Sequence, residues 1–300
     1  MIAWVEPSPG REAMGDAPDG WTVVPWPEDA ASDADRDRVE FVVPNWEVSR
    51  DLDGLPALKV VQTRSAGVDW IVDRVPDGVT LCSARGSRDA AMAEWVLWAI
   101  LADVKAARSA AEQQVRHEWK HLDLGDLHGA RVMILGHGSI GEAVEARLRP
   151  FGVAGVVRVA RRARDGVHAV EDLEALLGGV DVVVNLLPAT PQTNGLFDAR
   201  MLGAMRDGAL LVNAARGATV DTGALLDALH DGRVRAVLDV VDPEPLPPDH
   251  PLWAAPNAIL TSHSAGDTPG AERAAWALAG EQLRRHAAGE PLVNVVRDGY

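Results

Sequence analysis

Short apolar runs recur along the chain, separated by helix-type stretches. The first part offers IAWV, WTVV, VEFVV, LKVVQ and VTLC; beyond residue 130 come RVMIL, VVRVA, DVVVNLL, ALLVN, RAVLDV and AILTS. Continuous apolar strands alternating with helices predict parallel sheets covered on both faces. Two such series predict two α/β domains. Between them lies SRDAAMAEWVLWAILADVKAARSAAEQQ, alanine-rich and free of Gly and Pro, which predicts one long helix bridging the domains. A further helix is predicted over PGAERAAWALAGEQLRRHAAGEPLV, with Pro269 near its start and Pro291 beyond its end. Following the last strand of the second series, it can return to the first domain. The expected domains are therefore a discontinuous unit of residues 1–98 and 269–300, and an inserted unit of residues 99–268.

A chain of 300 residues accommodates two domains of ordinary size, and 47% hydrophobic with 24% charged residues fits a globular protein with a substantial core. The net charge of -15 and the pI near 5.0 argue against nucleic acid or an anionic membrane surface as partner. They do not exclude a small anionic ligand, because local charge in a cleft outranks the global sum. The single cysteine, Cys82, permits no intrachain disulfide, so a reducing, cytoplasmic setting is expected. MIAWVEPSPGREAMGD lacks the basic start and long apolar run of a signal peptide. The longest central apolar run, Trp95 to Ala102, is too short to span a bilayer. The histidines form no ligand cluster with Cys82, and no metal site is expected.

RVMILGHGSIGEAVEARLRPFG sets Gly136, Gly138 and Gly141 in the G-x-G-x-x-G pattern, directly after an apolar strand and opening an amphipathic helix. That context predicts a dinucleotide site. Gly136 would permit the tight turn, Gly138 the approach of the pyrophosphate, and Gly141 close helix–strand packing. NAD sites place an acid about 20 residues further on, against the ribose hydroxyls. Here VVRVARRARDG has Ala160 at that place, followed by Arg161, Arg162 and Arg164. Guanidinium groups pair with a 2′-phosphate that a carboxylate would repel, so NADP(H) is favoured and NAD(H) stays possible.

Three residues with chemistry follow three successive strands: Arg216 in ALLVNAARGATVD, Glu244 in LDVVDPEPLP and His263 in ILTSHSAG. Singly, each reads as a solvated loop residue. Together they can meet in one crevice, because ligands of open α/β sheets gather outside the carboxyl ends of strands.

Taken in order, these segments resemble the D-isomer-specific 2-hydroxyacid dehydrogenase family. VVQTRSAGVDWI resembles its substrate loop, GHGSIG its dinucleotide loop and NLLPATPQTNGLF the segment passing the nicotinamide. VNAARGATVDTGALLDAL, LDVVDPEPLPPDHPLW and LTSHSAG resemble its arginine, acid and histidine motifs. The resemblance implies a Rossmann-type doubly wound parallel sheet domain, a flavodoxin-like α/β substrate domain and a homodimer. It implies catalytic roles for Arg216, Glu244 and His263. Backbone amides of Ala66 and Gly67, with Arg216, would hold the substrate carboxylate. His137, Ser139 and Ile140 would line the pyrophosphate; Leu187, Pro188, Thr193, Ala214, Ala215, Asp239, Ala265 and Gly266 would lie along the rest of the cofactor. The departures are the missing acid after the second strand, Ser262 where many members have proline, and a compact amino-terminal region.

The implied reaction moves a hydride between NADP(H) or NAD(H) and a small 2-oxo or D-2-hydroxy acid such as glyoxylate, hydroxypyruvate or a larger 2-oxo acid. Arg216 would polarise the substrate, and His263 would move the proton with Glu244 favouring its charged form. Two alternatives stay open: a nucleotide-sensing, corepressor-like binding protein, and a dehydrogenase for a phosphorylated acid or formate. Trp46, Arg64 and Arg85 read equally as side-chain pocket residues or as structural or solvated positions, whereas His117, Trp119 and His121, a cluster near the expected cleft entrance, read first as plain loop packing.

Overall fold

The computed structural model describes residues 1–27, 34–45 and 52–297; Trp46 lies outside them. The chain divides into two compact units, one of residues 1–91 and 267–300, the other of residues 92–266.

In the first unit, five short parallel strands form one sheet: β1 (Ile2–Val5), β2 (Thr22–Pro25), β3 (Val39–Val43), β4 (Val60–Gln62) and β5 (Thr80–Cys82). Their order is β2-β1-β3-β4-β5, the 2-1-3-4-5 arrangement of flavodoxin-like folds. Alternate side chains feed two cores, as the two-residue period of a strand dictates. Ile2, Trp4, Val42, Val61 and Leu81 pack on one face with Leu52, Val68 and Ile71. Ala3, Val5, Phe41, Val43 and Val60 pack on the other with Met14, Trp276, Ala279 and Leu283.

Helix α1 (Asp89–Val104) leads into the second unit and is followed by α2 (Ala107–Val115). The single helix predicted here is therefore two. Ala106, the hinge between them, adopts left-handed backbone geometry, φ 51°. The reason is tertiary. The Gly125 amide donates to the Val104 carbonyl at 2.7 Å, and Lys105 Nζ donates to the Gly125 carbonyl at 2.8 Å and to Asp126 at 3.0 Å. The terminal carbonyl of α1 thus finds its donor outside the helix, and propensity alone cannot report that.

The remaining elements are β6 (Arg131–Leu135), α3 (Ser139–Leu148), β7 (Gly155–Ala160), β8 (His168–Ala169), α4 (Leu173–Leu177), β9 (Val182–Asn185), α5 (Ala199–Ala204), β10 (Ala209–Asn213), α6 (Thr222–His230), β11 (Val234–Leu238) and β12 (Ala258–Leu260). Seven parallel strands lie in the order β12-β11-β10-β9-β6-β7-β8. Read from β6, this is the Rossmann order 3-2-1-4-5-6 with one strand added. Met133, Leu135, Val183, Leu211 and Leu238 bury one sheet face under Leu173, Leu177, Leu202 and Leu225. Val132, Ile134, Val184, Val212 and Val237 bury the other under Val96, Ile100, Val144 and Leu148. The sheet is doubly wound.

The last helix, α7 (Pro269–Ala288), belongs to the first unit. Thr268 caps it through a bond from the Ala271 amide, Pro269 occupies its first turn, and Gly289 ends it in left-handed geometry. Among the described residues, no helix is long and apolar enough to cross a membrane.

Candidate active site

The glycine loop follows β6 at the point where the order of strands reverses. Gly136 has φ +102°, and a side-chain carbon there would stand 2.8 Å from the backbone of Leu186, in the loop after β9. Only glycine fits that turn. Gly138 is different: a carbon added there meets nothing within 4 Å. Its glycine answers no packing need of the protein and leaves the N-terminus of α3 open to approach. The first-turn amides of that helix lack intrahelical acceptors, which suits a pyrophosphate. These residues fit a dinucleotide.

Arg161 and Arg162 follow the end of β7 and are exposed. Arg164, in the same turn, donates to the His137 carbonyl at 2.6 Å. After β9, Leu187 is buried, and the Thr193 hydroxyl donates to the Pro188 carbonyl at 2.6 Å, closing that loop on itself.

Arg216, Glu244 and His263 follow β10, β11 and β12, three neighbouring strands. Two buried asparagines at the ends of β9 and β10 set the backbone around Arg216. Asn185 donates to Asn213 at 3.0 Å and to Thr219 at 2.8 Å. The Thr219 hydroxyl donates to the Arg216 carbonyl at 2.7 Å, and the Ala215 amide donates to Asn213 at 3.2 Å. A polar residue closing each of two adjacent apolar strands was the available signal, and sequence reasoning missed it. Ala214 and Ala215 are buried beneath this loop. The Arg216 guanidinium donates to the Ala215 carbonyl at 2.8 Å.

His263 has left-handed backbone geometry, φ 52°, a conformation that costs a non-glycine residue on the order of 1 kcal/mol or more. Asp239, just past β11 and 3% exposed, supplies the compensation. Its carbonyl accepts from the His263 amide at 2.8 Å. Its carboxylate accepts from the Thr261 hydroxyl at 2.5 Å and from the Ser264 and Ala265 amides, each at 3.0 Å. The turn at His263 is thus fixed with Ser262, not proline, before it. Gly266 follows directly. The imidazole Nδ1 of His263 meets Glu244 Oε1 in a hydrogen bond, with the histidine side chain 40% and the glutamate 38% exposed. An ionised carboxylate only accepts, so Nδ1 carries the proton of this bond and Nε2 is left for other chemistry.

In the first unit, the loop carrying Ala66 and Gly67 is pinned from several sides. Thr63 Oγ1 donates to the Ser65 carbonyl at 2.8 Å, Ser65 Oγ to the Gly67 carbonyl at 2.6 Å, and Trp70 Nε1 to Ser65 Oγ at 3.1 Å. Arg64 is bound to Glu6 and Glu272, each at 2.7 Å, and its guanidinium lies 5.1 Å from the Trp276 ring centroid. Its charge is already matched, which favours the structural reading of this residue. Arg85 is exposed, as are His117, Trp119 and His121. Among the described residues, no group of three His, Cys, Asp or Glu side chains could hold a metal.

Comparison with known proteins bears on the family and the fold. Residues 97–265 match the profile of the D-isomer specific 2-hydroxyacid dehydrogenase, NAD binding domain. The chain is 33% identical to the chloroplastic/mitochondrial formate dehydrogenase of Arabidopsis thaliana over 258 residues, 81% of this chain and 67% of that one. It is 31% identical to the D-3-phosphoglycerate dehydrogenase of Methanocaldococcus jannaschii over 83% of its own length, but spans only 50% of that relative. The NADPH-dependent glyoxylate/hydroxypyruvate reductase of Sinorhizobium meliloti, solved with NADP and sulfate, superposes with a TM-score of 0.86 at 29% identity, covering 100% of this chain and 99% of the other. With its sheet orders, glycine loop and strand-end residues, the chain belongs to the D-isomer-specific 2-hydroxyacid dehydrogenase family of NAD(P)-dependent oxidoreductases.

Proposed function

We propose that the protein reduces a small 2-oxo acid to the D-2-hydroxy acid with NADP(H). The observation that carries this reading is the His263–Glu244 pair, set beyond β12 and β11, the two strands on one side of β10, which delivers Arg216. When bound, the nicotinamide supplies the hydride. Arg216 pairs with the substrate carboxylate and stabilises negative charge growing on the carbonyl oxygen. His263 delivers the proton from Nε2, held in that orientation by Glu244 at Nδ1. Within the first unit, the loop of Ala66 and Gly67 is read as offering backbone amides to a carboxylate. Asp239 and the backbone of Ala214, Ala215, Ala265 and Gly266 flank the nicotinamide end, with Leu187, Pro188 and Thr193 along its side; Ser139 and Ile140 open the helix at the pyrophosphate.

Support for NADP(H) comes from the exposed Arg161 and Arg162 where an NAD site carries an acid, and from the NADPH-dependent relative of matching length. That relative also favours glyoxylate or hydroxypyruvate over a phosphorylated acid, since the phosphoglycerate dehydrogenase is about twice as long as the matched region. We assign the first unit to the substrate domain and the second to the cofactor domain; their bounds, 91/92 and 266/267, fall a few residues before the expected 98/99 and 268/269. Trp98, Trp253 and Trp119, exposed at 45%, 53% and 103%, support a homodimer built through the second unit. Light scattering on the purified protein decides that point. A cytoplasmic setting suits a chain whose single cysteine permits no intrachain disulfide.

The test of function is NADPH and NADH oxidation against glyoxylate, hydroxypyruvate and phenylpyruvate. Turnover that disappears in His263→Ala supports the reading. Tight NADPH binding without turnover on any 2-oxo acid would replace it with a nucleotide-sensing protein.

A further inference from the structure

The second residue of the glycine loop turns inward. The His137 side chain is 10% exposed, and its Nε2 lies 2.9 Å from Glu145 Oε2 on α3. Glu145 is 6% exposed. Arg158, on β7, grips both of its oxygens, Nε at 2.6 Å and Nη2 at 2.5 Å, and Arg149 Nη2 adds a bond of 2.7 Å. The two arginines already match the buried charge. The bond from His137 is surplus to that need; what it does is tie the loop down.

The His137 backbone is held from the same side. Its amide and that of Gly136 both donate to the Val159 carbonyl, at 3.2 and 2.8 Å, one residue beyond Arg158. Its carbonyl accepts from Arg164. Amide, carbonyl and imidazole of one loop residue are thus anchored to β7 and the turn that follows it. An ionised Glu145 only accepts, so His137 donates from Nε2. A loop fixed before the ligand arrives loses less freedom on binding.

We propose that Glu145 is a positioning residue for the dinucleotide. Acting through His137, it holds the glycine loop in the shape that receives the pyrophosphate, for NADPH and NADH alike. This rests on the dinucleotide site proposed above but not on which of the two cofactors is preferred. The test compares Glu145→Gln, which sets an amide NH2 against the surrounding donors, with His137→Leu, which leaves Glu145 both arginines. Titration of each purified variant with NADPH and with NADH gives the two dissociation constants. Both variants are expected to weaken both cofactors by the same factor, on the order of tenfold, the loss falling on binding rather than on kcat at saturation. A folded His137→Leu with unchanged dissociation constants overturns the proposal, as does a loss confined to NADPH. If Glu145→Gln does not fold, His137→Leu carries the test. Wild-type protein that binds neither nucleotide would instead remove the dinucleotide site itself.

Discussion

Replacing Arg161 and Arg162 together with alanine tests the choice of cofactor most directly. Both leave the end of β7, where an NAD site has its ribose-binding acid. Arg164 already uses a donor on the His137 carbonyl, so the substitution is aimed at the other two guanidinium groups. A hydrogen bond to a charged group contributes about 1.5–3 kcal/mol. Both residues are exposed, so the lower figure applies to each. Two such bonds amount to about 3 kcal/mol, or on the order of 10²-fold in affinity. The assay is kcat/KM for NADPH and for NADH at one saturating 2-oxo acid, repeated at low and high salt. NADPH should lose on the order of 10²-fold and NADH about twofold at most, and added salt should shrink the wild-type preference. Equal losses with both cofactors, or none with either, would refute the assignment.

His263→Ala should lower kcat by about 10²–10⁴-fold while the protein stays folded; near-normal turnover would end the proton-transfer role. Gly217→Ala places a carbon 1.9 Å from the Val241 carbonyl oxygen, a backbone clash beside Arg216 that should cost about 1–3 kcal/mol in urea unfolding and lower kcat/KM. Wild-type values for both would show that the Val241 segment yields freely. The Glu145 carboxyl, held down chiefly by Arg158, sits at about 2 instead of 4.5, worth about 3 kcal/mol. A depressed folded value stabilises above the ordinary one, so this contribution is full above pH 4.5 and drains away as pH falls toward 2. The stability gap between wild type and Glu145→Gln should therefore narrow below about pH 4.5, and a gap independent of pH contradicts the ion cluster. Burial pushes the Cys82 thiol up to about 11, so thiol reagents should label it only after unfolding; rapid labelling of native protein would show an opening absent from this structure.

What could be read in advance followed from how each feature is encoded. Buried parallel strands are written as unbroken apolar runs, so both sheets and the residues just beyond β10, β11 and β12 were visible in order. The glycine loop was visible because strand, glycines and helix are adjacent in sequence. Features made by distant partners were not. Nothing in an alanine-rich run shows that a Gly125 amide ends α1 at Val104. Glu145 looks like any surface helix glutamate until Arg158, from the next strand, is seen to cover it. Arg64 reads as a free charge in sequence, although Glu6 and Glu272 lie 58 and 208 residues away along the chain. Asn185 and Asn213 resemble loop residues because their partnership crosses two strands.

The place of α7 in the first unit has a consequence for synthesis. On the ribosome, β1 to β5 emerge early, yet Trp276, Ala279 and Leu283, which cover Ala3, Val5, Phe41 and Val60, come from the far end of the chain. Until they emerge, one face of the early sheet has only Met14 and Trp21 from its own segment to cover it, while the inserted unit already holds all its strands and can fold first. The nascent protein therefore carries an exposed apolar surface for most of its translation, and the period in which it is open to misassociation is set by elongation rate rather than by the folding rate of the sheet itself.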